Sequence, residues 1–300
     1  MLNRKYRYLI ALAQARHFGK AAAACNVSPS TLSAAISDLE SDIGFAVVER
    51  GKNFSGFTRE GALLLDYALK VRDTVNTLQQ ELSLHRGKLT GHLKIGVIPT
   101  ALTAVAFLSD RFYRQHPGVT LEILSQSTGE ILNNLGRFDI DAGIIYQDEQ
   151  LESSLSITPL WHEPHVLVTP DMTLFAERTN ATWREAAQRN LCLLTPDMKN
   201  RQIIDAIFKS VGCTVEPQMA TNSIISMLAH ISTGSWSGIF PKSVIDMIGA
   251  PKNTVTLPLT EPSKHWKIGL ATVRREAIPP ILQALVAEAT TLGTVFGKTE

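Results

Sequence analysis

Five residues with short side chains, Ser30, Thr31, Ser33, Ala34 and Ser37, are spaced to face outward from one helix, which Ser28 and Pro29 begin. Lys20 precedes them, and Arg50 and Lys52 follow. Hydroxyls in that arrangement reach base edges and phosphates, while the cations neutralise phosphate charge, so the chemistry offered is recognition of double-stranded DNA. Groupings that make or break bonds are not apparent. His162 and His165 would project to opposite faces of an extended segment interrupted by Pro164, which suits a strand crossing better than a metal site. Neither Ser235 nor Ser237 has the glycine two residues earlier that a nucleophile elbow needs, since Gly234 has that offset only from Trp236, and no glycine-rich phosphate loop carries a lysine. The expectation is a protein that is not an enzyme, with no catalytic residues, no metal and no cofactor.

The elements that must hold these residues are legible from local signals. Ala21 to Ala24 is a run of good helix formers that lets another helix approach closely. Cys25 and Asn26 end it, Asn26 tolerating a left-handed turn, and Val27 is placed as an apolar plug. Ser28 then caps the next helix with Pro29 at its first position. Leu32, Ile36, Leu39 and Ile43 recur at intervals of four, three and four, predicting one buried stripe behind the polar face. Phe45 to Glu49 has the composition of a short strand, and Arg50 to Phe57, with Gly51, Asn53, Ser55 and Gly56, that of a turn suited to a phosphate backbone. Thr58 caps a helix running to about His85. Along it Leu64, Ala68, Val71, Val75, Leu78 and Leu82 alternate at four and three, a seam for a second copy of the chain. Such a helix is roughly 40 Å long, comparable with half-sites about 34 Å apart.

Charge is distributed to match. Residues 1–60 hold eight Lys and Arg against five acids, while the whole chain of 300 residues is only +1. DNA contact is therefore local to that segment. The basic, apolar start imitates an export signal, but Leu9 to Ala13 is too short an apolar run. No stretch approaches the roughly 18 apolar residues of a membrane span, and Cys25, Cys192 and Cys213 lack metal or redox spacing. A cytoplasmic protein with reduced thiols and no membrane partner is expected.

The segment 18–61 resembles the LysR-type transcriptional regulators through Phe18, Ala21, Ala22, Val27, Ser28, Leu32, Ser33, Ile36, Leu39, Glu40, Gly44, Glu49, Arg50, Thr58 and Gly61. The resemblance implies a phosphate contact for Arg50. It also marks a departure: the family usually has Arg, Gln and further basic residues where Ala34, Ala35, Ser37 and Asp38 stand. Affinity would then lean on Lys20, the turn and the N-terminal arm, and specificity on hydroxyls and thymine methyls.

Beyond the polar hinge RGKLTG, strands alternate with helices: 93–98, a helix at about 101–115, 119–125, a helix at about 128–136, then 141–146, an open α/β sheet. Gly96, His116 to Gly118, Phe138 to Asp141 and Gly234 to Pro241 resemble landmarks of the family's effector domain, which looks like a two-lobed periplasmic binding protein. The fold class implied is α/β with an N-terminal all-α winged helix-turn-helix and a long linker helix. Residues 1–58 would bind DNA, 59–87 dimerise, 88–91 form a hinge and 92–300 bind effector. Lobe I would comprise about 92–162 and 267–300, and lobe II about 163–266. If the family arrangement holds, Thr100, Ser127, Thr128, Tyr146, Met198, Asn222 and Phe240 line the inter-lobe cleft, and the turn around Pro196 to Asn200 faces the same gap. Hydroxyls and helix N-termini there suit a small organic acid as effector. The implied protein is a homodimer or dimer of dimers on a pseudo-palindromic promoter site, with RNA polymerase as a further partner. The rivals are an enzyme that turns over the cleft ligand and an architectural DNA binder without an effector.

Overall fold

The computed structural model describes residues 3–49, 54–147, 153–171, 177–275 and 277–296. Arg50 and Lys52, with the first half of the expected turn, lie outside them. The chain divides into two compact units, Met1–Gly87 and Lys88–Glu300.

The first unit is built on α1 (Arg4–Ala15), α2 (Phe18–Ala24), α3 (Pro29–Ile43) and α4 (Arg59–His85). Asn26 takes the left-handed conformation at φ 56°, and the Val27 N–H returns to Ala22 O at 3.0 Å, closing the turn between α2 and α3. Leu32, Ile36 and Leu39 are buried behind α3. Ile43, expected to complete that stripe, is half-buried, because Gly44 turns left-handed and ends the helix one residue later. The strand expected over Phe45 to Glu49 reduces to a single bridge, Val48 to Phe57. The reason is a competing acceptor: Glu40 Oε1 takes the N–H groups of Val47 and Val48 at 2.7 and 3.1 Å.

Thr58 caps α4 by accepting the Gly61 N–H at 2.9 Å. Gly61 sits so close to Val47 that an added Cβ would lie 2.0 Å from the Val47 carbonyl oxygen. Along α4 the inner side buries Leu65, Ala68 and Leu69. Of the expected seam, Ala68 is thus taken up by the unit itself, Leu64 and Val75 are half-buried, and Val71, Leu78 and Leu82 are 44–47% exposed.

Among the described residues the second unit carries two larger sheets and a two-stranded one. β1 (Gly91–Val97), β2 (Val119–Ser125) and β3 (Ala142–Tyr146) join β4 (Leu155–Glu163) and β11 (Trp266–Val273) in the order β2-β1-β3-β11-β4. β1 runs parallel to β2 and β3, and β11 antiparallel to β3 and β4. α5 (Val105–Gln115), α6 (Thr128–Gly136) and α11 (Pro280–Phe296) accompany this sheet. The helix expected from residue 101 starts at Val105, after one tight turn over Pro99–Ala101, where the proline leads a 3-10 turn and not an α-helix.

The second sheet runs β6-β10-β5-β9, with β5 (His165–Thr169), β6 (Ala181–Thr182), β9 (Gly238–Pro241) and β10 (Val255–Thr260). Around it stand α7 (Trp183–Ala186), α8 (Lys199–Ser210), α9 (Ile224–Ile231) and α10 (Lys242–Ile248), while β7 (Cys192–Leu194) pairs with β8 (Met219–Thr221). The chain crosses between sheets twice, at Pro164 and between Thr260 and Trp266.

The contact at Gly61 predicts that Gly61→Ala lowers the stability of the first unit by about 1–3 kcal/mol, since the obstructing atom is backbone. Calorimetric melting should show that unit's transition moving down while the second unit's stays in place.

Candidate functional site

In the first unit, Ser28, Pro29, Ser30, Thr31, Ser33, Ala34 and Ser37 are all exposed on one side of α3, as is Lys20 on α2. Ser28 Oγ accepts the Thr31 N–H at 3.1 Å and lies 2.8 Å from both the Ser30 and Thr31 hydroxyls. The helix cap and the first two hydroxyls of the presented face are therefore one hydrogen-bonded cluster. His17 caps α2, its Nδ1 accepting from Gly19 N and Lys20 N at 3.0 and 3.3 Å, which fixes the backbone that carries Lys20.

In the second unit, Thr100, Ser127, Thr128 and Tyr146 approach from the first sheet, and Met198, Lys199 and Asn200 from the start of α8. The space they leave is about 10 Å³, on the order of one water molecule. Ser127 is committed as a cap, exchanging hydrogen bonds with Glu130 at the start of α6. The Thr128 hydroxyl is buried with no partner among the described residues. At α8 the cap residue is Met198, so no side chain covers the helix's first N–H groups. The cleft is not joined by Asn222, which is exposed beyond β8, nor by Phe240, whose ring is fully buried in the second lobe's core with Val168 and Met227.

Behind this space runs a buried polar chain. Asn200 Nδ2 donates to the Tyr146 hydroxyl at 2.9 Å and lies 3.0 Å from His165 Nε2. Tyr146 donates to Glu163 Oε2 at 3.0 Å, and Glu163 Oε1 accepts from Ser243 at 2.7 Å and Trp161 at 3.3 Å. Burial pushes the Glu163 carboxyl up to about 7, and the same cause lowers His165 to about 4, aided by His265. Burial and then the Glu163 charge hold the Tyr146 phenol well above its ordinary value. Asn200 belongs to the turn expected to face the cleft, whereas Glu163 and His165 were not among the residues expected there. A period-two signal for both existed in the sequence: Trp161, Glu163 and His165 alternate with His162 and Pro164, and all three are buried while His162 is exposed.

A helix-turn-helix with an exposed hydroxyl face, a long helix and a two-lobed α/β unit with a polar cleft together define a DNA-binding regulator of two units. The LysR substrate binding domain matches residues 86–292, and the bacterial regulatory helix-turn-helix protein, lysR family, matches residues 3–62. The chain belongs to the LysR family and is a LysR-type DNA-binding transcriptional regulator. It is similar to the DNA-binding transcriptional dual regulator OxyR of Escherichia coli, at 26% identity over 89% of this chain and 88% of that one. Its fold is similar to a full-length OxyR variant from Pseudomonas aeruginosa, with a TM-score of 0.76 at 23% identity, covering 96% of this chain and 98% of that one. CbnR complexed with its target DNA follows at a TM-score of 0.67 and 19% identity, over 96% and 99% of the two chains.

The two shifted groups make opposite demands on pH. The contribution of Glu163 to stability is full below its ordinary 4.5 and is lost as pH rises to about 7. That of His165 is full above 6.5 and is lost as pH falls toward about 4. Between pH 4.5 and 6.5 they offset each other. Glu163→Gln should therefore leave stability rising with pH, and His165→Gln leave it falling, each by at most about 1.4 kcal/mol per pH unit. Denaturant unfolding across that window checks both signs.

Proposed function

We propose that a homodimer or dimer of dimers binds a pseudo-palindromic promoter site in the cytoplasm, with RNA polymerase as a further contact. A small carboxylate in the cleft changes its DNA-bound arrangement and so its output; it is bound, not turned over. The observation that carries the effector class is the unpartnered Thr128 hydroxyl facing the same small space as the uncapped start of α8. Both offer donors to an oxyanion, and the space favours a molecule of few atoms, down to a one-carbon acid. The half-exposed seam on α4 supports pairing between copies.

A second reading comes from several relatives named hydrogen peroxide-inducible genes activators. Thiol chemistry at the cleft has little support in this chain. The residues lining the small space include no cysteine, and Cys192 lies in the second lobe's core with burial pushing its thiol up to about 11, against reactivity.

Footprinting of the full chain on the promoter beside its own gene, titrated with one- to three-carbon carboxylates and separately with peroxide, tests the proposal. The footprint should shift with a carboxylate and not with peroxide, and the reverse result would transfer the reading to redox control. Thr100→Val should lose that shift while DNA affinity stays within about twofold, because the change removes only a hydroxyl beside Tyr146. Val75→Asp should convert the dimer to monomer in sedimentation, since a charge at one seam position desolvates on pairing.

A further inference from the structure

The Tyr146 hydroxyl has one proton and two directions in which to spend it. The Asn200 amide nitrogen can only donate to it, from 2.9 Å. Glu163 Oε2 lies behind it at 3.0 Å, and Thr100 Oγ1 lies beside the cleft at 3.3 Å. An ionised Glu163 can only accept, so it draws the phenolic proton backward and leaves oxygen lone pairs toward the cleft, which repel an anion. A Glu163 protonated on Oε2 donates to the Tyr146 oxygen, and the phenolic proton is then free to turn toward the cleft.

We propose that Glu163 is a positioning residue of the effector cleft: it aims the Tyr146 hydroxyl, so that an anionic effector binds together with one proton taken from solvent onto Glu163. This rests on the carboxylate reading above.

The surroundings suit such a role. Glu163 is held by three neutral donors, Tyr146, Ser243 and Trp161, so no cation in that set pins it in the ionised form. On α10 the Lys242 ammonium pairs with Asp246 at 2.6 Å, and on β5 His165 is neutral above about pH 4. His162 is exposed on β4 itself, Trp266 pairs with Glu163 from β11 between His265 and Lys267, and Lys199 stands at the cleft on α8. A carboxyl that titrates near 7 exchanges its proton in the neutral range. Glu163 and Ser243 are also among the residues around a separate pocket of about 460 Å³ between α5 and α10.

The test is calorimetric titration of the full chain with formate, acetate and pyruvate from pH 6 to 8.5, each in two buffers of different ionisation enthalpy. These acids stay ionised throughout. For wild type the Kd should rise about thirtyfold over that range, with uptake approaching one proton at the alkaline end. Glu163→Gln, whose amide donates to Tyr146 at any pH, should bind with little pH dependence and no proton uptake. Tyr146→Phe should bind weakly with the slope also gone, which keeps the test decisive if the Gln variant does not fold. A flat wild-type profile, or variants that keep the wild-type slope, would overturn the proton linkage and leave the effector reading standing. Absence of binding by all three acids at every pH would overturn the carboxylate reading, and the linkage with it.

Discussion

The hydrogen bond from Tyr146 to Glu163 is the interaction on which the second unit's organisation turns. A carboxyl with no solvent exposure costs several kcal/mol unless its lone pairs are met. The donors that meet it come from β3, β4 and α10, and Tyr146 is itself held by Asn200 on α8. β3 and β4 belong to one sheet, while α8 and α10 belong with the other, so satisfying one buried acid fixes how the two lobes sit against each other. Apolar packing alone would permit neighbouring arrangements at similar energy; a network of directional bonds in low dielectric does not. Pro164 contributes at the same place by ending β4 where β5 begins, so that the acid stands at the crossing itself.

The first unit solves a smaller version of this problem with Glu40. Its carboxyl takes two backbone N–H groups from Val47 and Val48, just where the chain leaves α3 and has only a single bridge to join. Thr58 completes the junction from the other side, its hydroxyl donating to Ala46 O at 2.6 Å while its N–H reaches Val47 O at 3.0 Å. Gly61 then lets α4 close onto the same carbonyl. One acid, one hydroxyl and one missing side chain thus fix how the long helix leaves the DNA-reading helices.

What could be read from the sequence was set by the range of the forces involved. The Ser28 cap, the left-handed Asn26, the Thr58 cap and the stripe of Leu32, Ile36 and Leu39 act within a few residues, so spacing alone revealed them. The approach of Thr100, Ser127, Thr128, Tyr146 and Met198 to one space was legible only through resemblance, because strand ends meet by topology. Ser243 and Glu163 escaped because their partners lie 17 to 80 residues away: alternation with Trp161 and His165 marks Glu163 as inward-facing, but nothing local shows that Tyr146 and Ser243 meet it. Phe240 and Asn222 show the limit of landmark matching. A landmark places a segment near the cleft, while strand register and solvent decide where each side chain goes. Ala68 makes the same point on α4, where a residue at a seam position is buried by its own unit.

A cleft with room for about one water molecule constrains how any effector can act. A ligand of even a few heavy atoms cannot enter and leave the lobes unmoved, so part of its binding energy goes into rearranging the polar chain behind it. That chain has few soft adjustments: the Asn200 donation is fixed in sense, and Ser243 and Trp161 are fixed donors to an ionised acid. The Tyr146 proton is the element that can change direction without breaking the packing around it. Ligand and lobe arrangement are coupled only by the difference in affinity between arrangements, and such differences of about 1–3 kcal/mol are the size of one or two hydrogen bonds. Reorienting a single buried hydroxyl is therefore sufficient in magnitude to carry a regulatory signal out of the cleft.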